Sequence, residues 1–203
     1  TYTLATGGIH SQDRPRVCKS DDNYVYLHHD YTSYYPSIMI SYNIAPKHLN
    51  KATFVKMVDY LKQTRVKCKH TKDEDGFVIE GVPNKIGAEA LKIVINSIYG
   101  KLGFEKGDIC DRLAVLKVTI NGQLMIMMLC ESLELAGIEV VSANTDGIVV
   151  KLHKKNKAKF EEIADEWKRL TKLDADSEEY KCYINRDINN YVIEELNGKV
   201  SYK

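Results

Sequence analysis

The chain has 203 residues, of which 44% are apolar and 28% charged, with a formal net charge of +1. A chain of this length buries a real core as one domain, or as one domain with a small lobe, and the balance is that of a soluble globular protein rather than a disordered or fibrous one. Near-neutrality excludes a surface that is basic overall, so any contact with nucleic acid has to be local.

The five cysteines (Cys18, Cys68, Cys110, Cys130 and Cys182) stand far apart with no C-x-x-C pair. They point to neither a zinc site nor a disulfide framework, and they fit a reducing compartment. The longest apolar run, Leu124 to Cys130, is too short to span a bilayer, and the start carries no signal-peptide pattern. The chain starts at Thr1 rather than Met and ends in a strand-like stretch, so it is expected to be a piece of something larger.

In chain order, Gly7-Gly8 comes first. Paired glycines let a backbone turn sharply or approach a ligand closely, and they also suit a plain loop. His10 reads as an ordinary polar side chain. Tyr24 to His29 is a strand of aromatic and β-branched residues, with Val25 and Leu27 on one face. Asp30 closes it, where a sheet ends and a ligand can reach. A helix should run from Tyr34 to Tyr42, with Pro36 in its first turn, Ser33 placed to cap it and Ala45-Pro46 ending it. A carboxylate beside free helix-start N–H groups suits a metal-bound triphosphate, and it also suits an ordinary loop end.

A second helix spans Ala52 to about Lys72, its faces marked by Phe54, Val55, Val58, Leu61 and Lys62. Arg65 and Lys69 are four apart and share a face about 6 Å from one another, as a solvated basic face also would. Thr71 to Gly81 is a polar connection. The next helix runs from Asn84, as its cap, to Tyr99, and Gly100 ends it. Along it Lys92, Asn96 and Tyr99 form one stripe: a charge for phosphate, a bidentate polar group and a flat ring. That order suits a nucleotide lying along the helix; an exposed amphipathic face is the bland alternative.

Asp111 to Gly137 is a long helix whose cluster of Met125, Met127 and Met128 is core packing. Ile138 to Ala143 and Ile148 to Leu152 are strands joined through Asn144-Thr145-Asp146-Gly147, and Asp-Gly between apolar runs is a hairpin signal on its own. Ala158 to Leu170 is an outer helix after a basic, solvated turn from Lys151 to Lys159. Lys181-Cys182-Tyr183, Asn189-Asn190-Tyr191 and an Asn197-Gly198 hairpin close the chain. Helices and antiparallel hairpins in this order argue for an α+β fold.

Three of these stretches, taken together, resemble the A, B and C motifs of the family B DNA polymerases. They are Asp30-Tyr31-Thr32-Ser33-Tyr34-Tyr35-Pro36-Ser37, Lys92-Ile93-Val94-Ile95-Asn96-Ser97-Ile98-Tyr99-Gly100 and Asn144-Thr145-Asp146-Gly147. The family patterns are D-x-x-S-L-Y-P-S, K-x-x-x-N-S-x-Y-G and D-T-D-S. Tyr34 stands where leucine is usual, Asn144 replaces the first aspartate of the third motif, and Gly147 replaces its serine. In the first segment Ala5 stands where the family's Y-x-G-G has its tyrosine.

The resemblance implies a phage-like member of that family, reduced to an antiparallel-sheet palm with a two-helix fingers insertion, the exonuclease and thumb domains being absent. Palm would be residues 1–45 and 104–203, with fingers at 46–103. Asp30 and Asp146, with the Tyr31 carbonyl, would hold two Mg²⁺ ions roughly 3.5–4 Å apart. The amides of Ser33, Tyr34 and Tyr35 would bind the triphosphate with Arg65, Lys69 and Lys92, while Asn96 and Tyr99 frame the nascent base pair. Gly7, Gly8, Gly100 and Thr145 would touch DNA, and Lys181 and Tyr183 the primer end as a K-x-Y motif. The Tyr35 ring would exclude ribonucleotides. Losing Asp30 or Asp146 should abolish primer extension, and Asn144→Asp should be mild.

The partners implied are primer–template DNA and deoxynucleoside triphosphates, handled by a monomer in the cytoplasm (the host's, if the gene is viral) with no membrane. A DNA-binding palm remnant without catalysis is one rival, favoured mildly by Asn144. A nucleotide cyclase-like enzyme is the other, and the Lys92–Asn96–Tyr99 stripe tells against it.

Overall fold

The computed structural model describes residues 1–5 and 7–202; Thr6, beside the paired glycines, and Lys203 lie outside the described residues. The strands are β1 (Tyr2–Leu4), β2 (Ile9–Ser11), β3 (Arg16–Lys19), β4 (Tyr24–Tyr31), β5 (Glu139–Asn144), β6 (Gly147–His153), β7 (Ala175–Asp187), β8 (Asn190–Glu195) and β9 (Val200–Tyr202). The α-helices are α1 (Tyr34–Ser41), α2 (Lys51–His70), α3 (Asn84–Leu102), α4 (Arg112–Leu135) and α5 (Lys157–Thr171). The chain divides into two compact units, Thr1–Thr32 with Ile120–Lys203, and Ser33–Thr119.

The first unit is built on an antiparallel sheet in the order β1-β2-β5-β6-β4-β7-β8-β9, with β3 added along β7. The fold is therefore α+β, as the hairpin-rich sequence predicts. β4 lies between β6 and β7, pairing Tyr24 to Asp30 with His153 to Gly147 and Tyr26 to Tyr31 with Tyr180 to Ala175. Strand alternation sorts its side chains. Val25, Leu27, His29 and Tyr31 are all buried on one face.

Helix α5 covers that face with Phe160, Ala164, Trp167 and Thr171, buried at helical spacing. Phe160 meets the His29 ring edge-on at 5.6 Å, and Trp167 lies 4.5 Å from Tyr31. The Trp167 indole N–H donates to the Met125 carbonyl at 2.7 Å, so the one polar atom of this large buried ring is satisfied. Burying an aromatic or branched side chain here contributes about 1.5–3 kcal/mol. The opposite face of β4 presents Tyr26, His28 and Asp30, and Tyr26 joins a core of Cys18, Val141, Val149, Tyr180 and Tyr183.

The second unit holds α1, α2, α3 and the start of α4. Asn50 caps α2, its side chain accepting from the Thr53 amide at 3.0 Å. Gly87 of α3 lets the helix approach α2 closely, since a Cβ there would come 3.2 Å from Cys68 Sγ. The Asp111 carboxylate accepts the amides of Lys47, Leu113 and Ala114, which hold its pKa below the ordinary carboxylate range and start α4.

Three sequence expectations shift here. Ser33 takes the left-handed conformation (φ 50°) and makes no side-chain cap to α1. Asn84 is not the cap of α3: Pro83 holds that position, and the Asn84 side chain accepts from the Val78 amide and donates to the Gly76 carbonyl, stapling the preceding connection. Gly100 does not end α3, which runs on to Leu102 because that side chain is fully buried. Helix α4 is also apolar enough, by length and composition, to cross a membrane. Half of its most apolar stretch is buried inside the protein, and residues such as Ile126, Leu129, Cys130 and Leu133 mark a core helix.

Candidate active site

Two carboxylates meet where β4 ends. Asp30 is the penultimate residue of β4 and pairs with Gly147, the first residue of β6. Asp146 sits one residue earlier, in the two-residue turn Thr145-Asp146 that joins β5 to β6. The turn is tied on both flanks: the Tyr31 amide donates to the Asp146 carbonyl at 3.0 Å, and the Thr145 amide donates to the Ile9 carbonyl at 2.9 Å. Thr145 takes φ 53°, the left-handed conformation this tight turn requires. Both carboxylates are exposed, and both line a pocket of about 120 Å³ with His28, Asn144, Tyr180, Ile188 and Tyr191 among its walls.

The position of Gly147 follows from its neighbours. A Cβ there would lie 2.9 Å from His28 Nε2, 3.3 Å from Asp30 Oδ1 and 3.5 Å from the His29 carbonyl oxygen. The missing side chain is the space into which the His28 ring reaches, stacked on Tyr180 with centroids 5.5 Å apart. Burial lowers the His28 pKa, against the opposing pull of Glu178 and Asp146. Gly8 likewise serves close packing: a Cβ there would come 2.6 Å from Thr145 Oγ1, and its carbonyl accepts from the Gln123 side chain. His10, given no role from sequence, meets Thr145 Oγ1 at 3.3 Å.

Sequence reasoning missed three neighbours of the carboxylates. Asp176 of β7 stands directly across from Asp30, and Glu178 across from His28. Directly opposed residues share a sheet face, and like charges so placed repel unless a cation intervenes. Nothing in the local sequence marks Asp176; only the register does. Tyr191 of β8 lines the pocket, its pKa raised by burial and then by the charges of Asp146 and Asp30. Asn144 donates from Nδ2 to the Ile188 carbonyl at 3.1 Å.

The K-x-Y residues are separated from each other. Lys181 is exposed and bonds Glu194 of β8 at 2.5 Å. Tyr183 contributes to the pocket wall but is 2% exposed in the sheet core, where burial raises its pKa to about 12. A shift of register in the pairing of β7 with β8 between Tyr180 and Cys182 turns the lysine outward. Gly7 is exposed.

The second unit carries the other candidates. Arg65 on α2 donates from Nη1 to Ser33 Oγ at 2.7 Å, and its Nε is buried with no partner among the described residues. Lys69 lies one turn further on, exposed. On α3, Lys92, Asn96 and Gly100 are exposed, and the Tyr99 hydroxyl meets Thr119 Oγ1 at 2.7 Å. The Tyr35 ring stacks on Tyr99 with centroids 4.0 Å apart and planes at 18°. Tyr34 is buried beside it, 5.6 Å away.

Among the described residues no group of three or more His, Cys, Asp or Glu side chains comes together to hold a metal ion. The acidic donors lining the pocket at the end of β4 are two exposed carboxylates, both hard oxygen ligands. That set fits Mg²⁺, which binds through one or two carboxylates and completes its shell with water and substrate phosphate.

The sequence profile described as DNA polymerase family B matches residues 63–185. The chain is 31% identical over 152 residues to the DNA polymerase of Thermococcus sp. (strain 9oN-7), covering 63% of this chain and 19% of that protein. It is 28% identical over 140 residues to DNA polymerase 1 of Pyrococcus abyssi, covering 59% of this chain and 18% of that one. The chain thus spans about a fifth of the length of these curated relatives. Among solved structures, the family B DNA polymerase of the archaeon Pyrobaculum calidifontis superposes with a TM-score of 0.68 over all of this chain and 29% of its own, at 18% identity, a likeness of fold.

Proposed function

The chain belongs to DNA polymerase family B, and on that premise we propose that it is the palm and fingers portion of a template-directed DNA polymerase that adds deoxynucleotides to a primer 3′ end. In this reading residues 1–45 and 104–203 are palm and 46–103 are fingers, in a phage-like, monomeric, cytoplasmic enzyme. One observation carries the proposal: Asp30 and Asp146, more than a hundred residues apart in sequence, line a single pocket at a sheet end.

Asp30, Asp146 and the Tyr31 carbonyl would hold Mg²⁺. When bound, the metal would lower the pKa of the primer 3′-hydroxyl and neutralise charge on the departing pyrophosphate. The chain's own residues bind and orient. In the second unit, Arg65, Lys69 and Lys92 hold the triphosphate with the amides of Ser33, Tyr34 and Tyr35. Arg65 Nε, buried with no partner among the described residues, supports that role, because a buried guanidinium N–H left unpaired is costly unless an anion meets it. Asn96 and Tyr99 frame the new base pair, and Tyr35, fixed by its stack on Tyr99, lies under the sugar. Gly7, Gly8, Gly100 and Thr145 stay as DNA contacts in this proposal. At the primer end Tyr191 is better placed than Lys181, since it lines the pocket that both carboxylates share while Lys181 is paired with Glu194.

The test is single-nucleotide addition by the full polymerase on four templates that differ in the templating base. The proposal expects Mg²⁺-dependent incorporation whose identity follows the template. Binding of primer–template without incorporation would instead favour the non-catalytic remnant.

A further inference from the structure

Asn144 is one of two positions at which the chain departs from the family's third motif, and the structure gives its amide a task that a carboxylate cannot perform. Both polar atoms are engaged. Oδ1 accepts from the Thr145 hydroxyl at 3.2 Å, and Nδ2 donates to the Ile188 carbonyl at 3.1 Å. A carbonyl oxygen only accepts, so the Ile188 contact fixes which end of the amide faces it.

Ile188 belongs to the turn between β7 and β8. Within that turn the Asp187 carboxylate accepts from the Asn189 amide and the Asn190 side chain, which gives the turn its shape. Asn144 links the shaped turn to the tip of the β5–β6 hairpin. The consequence lies in what flanks the turn: Ile188 and Tyr191 both line the pocket that holds Asp30 and Asp146.

We infer that Asn144 is a positioning residue: its amide clamps the β7–β8 turn to the hairpin carrying Asp146 and so holds Ile188 and Tyr191 as one wall of the carboxylate pocket. An aspartate at 144 keeps the acceptor for Thr145 but sets a charged oxygen against the Ile188 carbonyl, which replaces a hydrogen bond with repulsion. Restoring the family's residue is therefore damaging here, contrary to the mild effect the motif alone predicts for Asn144→Asp. The catalytic part of this inference rests on the polymerase reading; the clamp itself does not.

The experiment has two arms, both run on wild type, Asn144→Ala and Asn144→Asp. In the first, backbone hydrogen exchange is followed residue by residue. Amides of the 188–190 turn should exchange about tenfold faster in both variants, while those of β4 and α5 stay at wild-type rates. Wild-type exchange in the turn of Asn144→Asp overturns the inference, whatever the enzyme does. In the second, primer extension is measured against Mg²⁺ concentration. The clamp predicts that both variants lose about tenfold in kcat/KM with the half-saturating Mg²⁺ concentration unchanged. Faster extension and tighter Mg²⁺ use by Asn144→Asp would make position 144 a ligand site and end the proposal. If wild type itself adds no nucleotide, the polymerase reading fails, and the exchange arm still decides the clamp.

Discussion

Putting the family's serine back at position 147 should strain the carboxylate pocket, by an amount set by three distances. The Cβ would arrive 2.9 Å from His28 Nε2 and 3.3 Å from Asp30 Oδ1, with the His29 carbonyl oxygen at 3.5 Å. The last contact is ordinary, the second is tight, and the first cannot persist. His28 must swing away, giving up its stack on Tyr180 and its place at the pocket. Overpacking of this kind costs about 1–3 kcal/mol. Removing a strand glycine returns about 0.5–1 kcal/mol through the unfolded chain, so a net loss of up to about 2.5 kcal/mol is expected for Gly147→Ser. The cost should disappear once the ring is gone. Urea unfolding of wild type, Gly147→Ser, His28→Ala and the double variant forms the cycle, and the expected coupling is at least about 1 kcal/mol in favour of the double variant. Additive losses would mean that His28 is not what the glycine accommodates.

Three further outcomes follow. The His29 ring is almost wholly buried, and desolvation, helped by the charge of Lys168, lowers its pKa from 6.5 to about 4. The unfolded ring binds a proton across that window and the folded one does not, so this contribution, about 3 kcal/mol, is complete above pH 6.5 and fades as pH falls toward 4. Urea midpoints between pH 4.5 and 7 should slope less in His29→Gln than in wild type, and parallel slopes would refute the assignment. Tyr35→Ala should admit CTP in single-nucleotide addition while dCTP use stays within about an order of magnitude; an unchanged ratio would move the sugar gate elsewhere. Lys92→Ala should raise KM for all four nucleotides alike and lower kcat, with primer–template affinity steady, whereas a collapse of DNA affinity alone would assign Lys92 to DNA.

The sheet was legible because its signals are local. Alternation in Tyr24 to His29 and the Asp-Gly pair at 146–147 each announce a strand or a turn without help from the rest of the chain. Helix ends were less legible. Asn84 looks like a cap by residue type, yet its amide is drawn to Val78 and Gly76 by the shape of the preceding connection. Gly100 looks like a stop, yet Leu102 has a core position to fill.

At the site, the two aspartates could be found from motif spacing, whereas their surroundings depend on register. Asp176 faces Asp30 only because β7 pairs with β4 in one particular alignment. Lys181 and Tyr183 are two apart and should share a face, but the register shift after Tyr180 separates them, and Tyr191 joins the carboxylates at the pocket. Three letters of sequence carry no information about such a shift.

The central claim is that Asp30 and Asp146 together make a metal-dependent nucleotidyl-transfer site. Asp146→Asn keeps the size of the side chain and its place in the hairpin turn while removing the charge. In the full polymerase it should slow Mg²⁺-dependent primer extension by about two to three orders of magnitude, since the lost charge acts mainly on the transition state. Primer–template affinity should be nearly unchanged. Extension by Asp146→Asn at close to the wild-type rate would contradict the account.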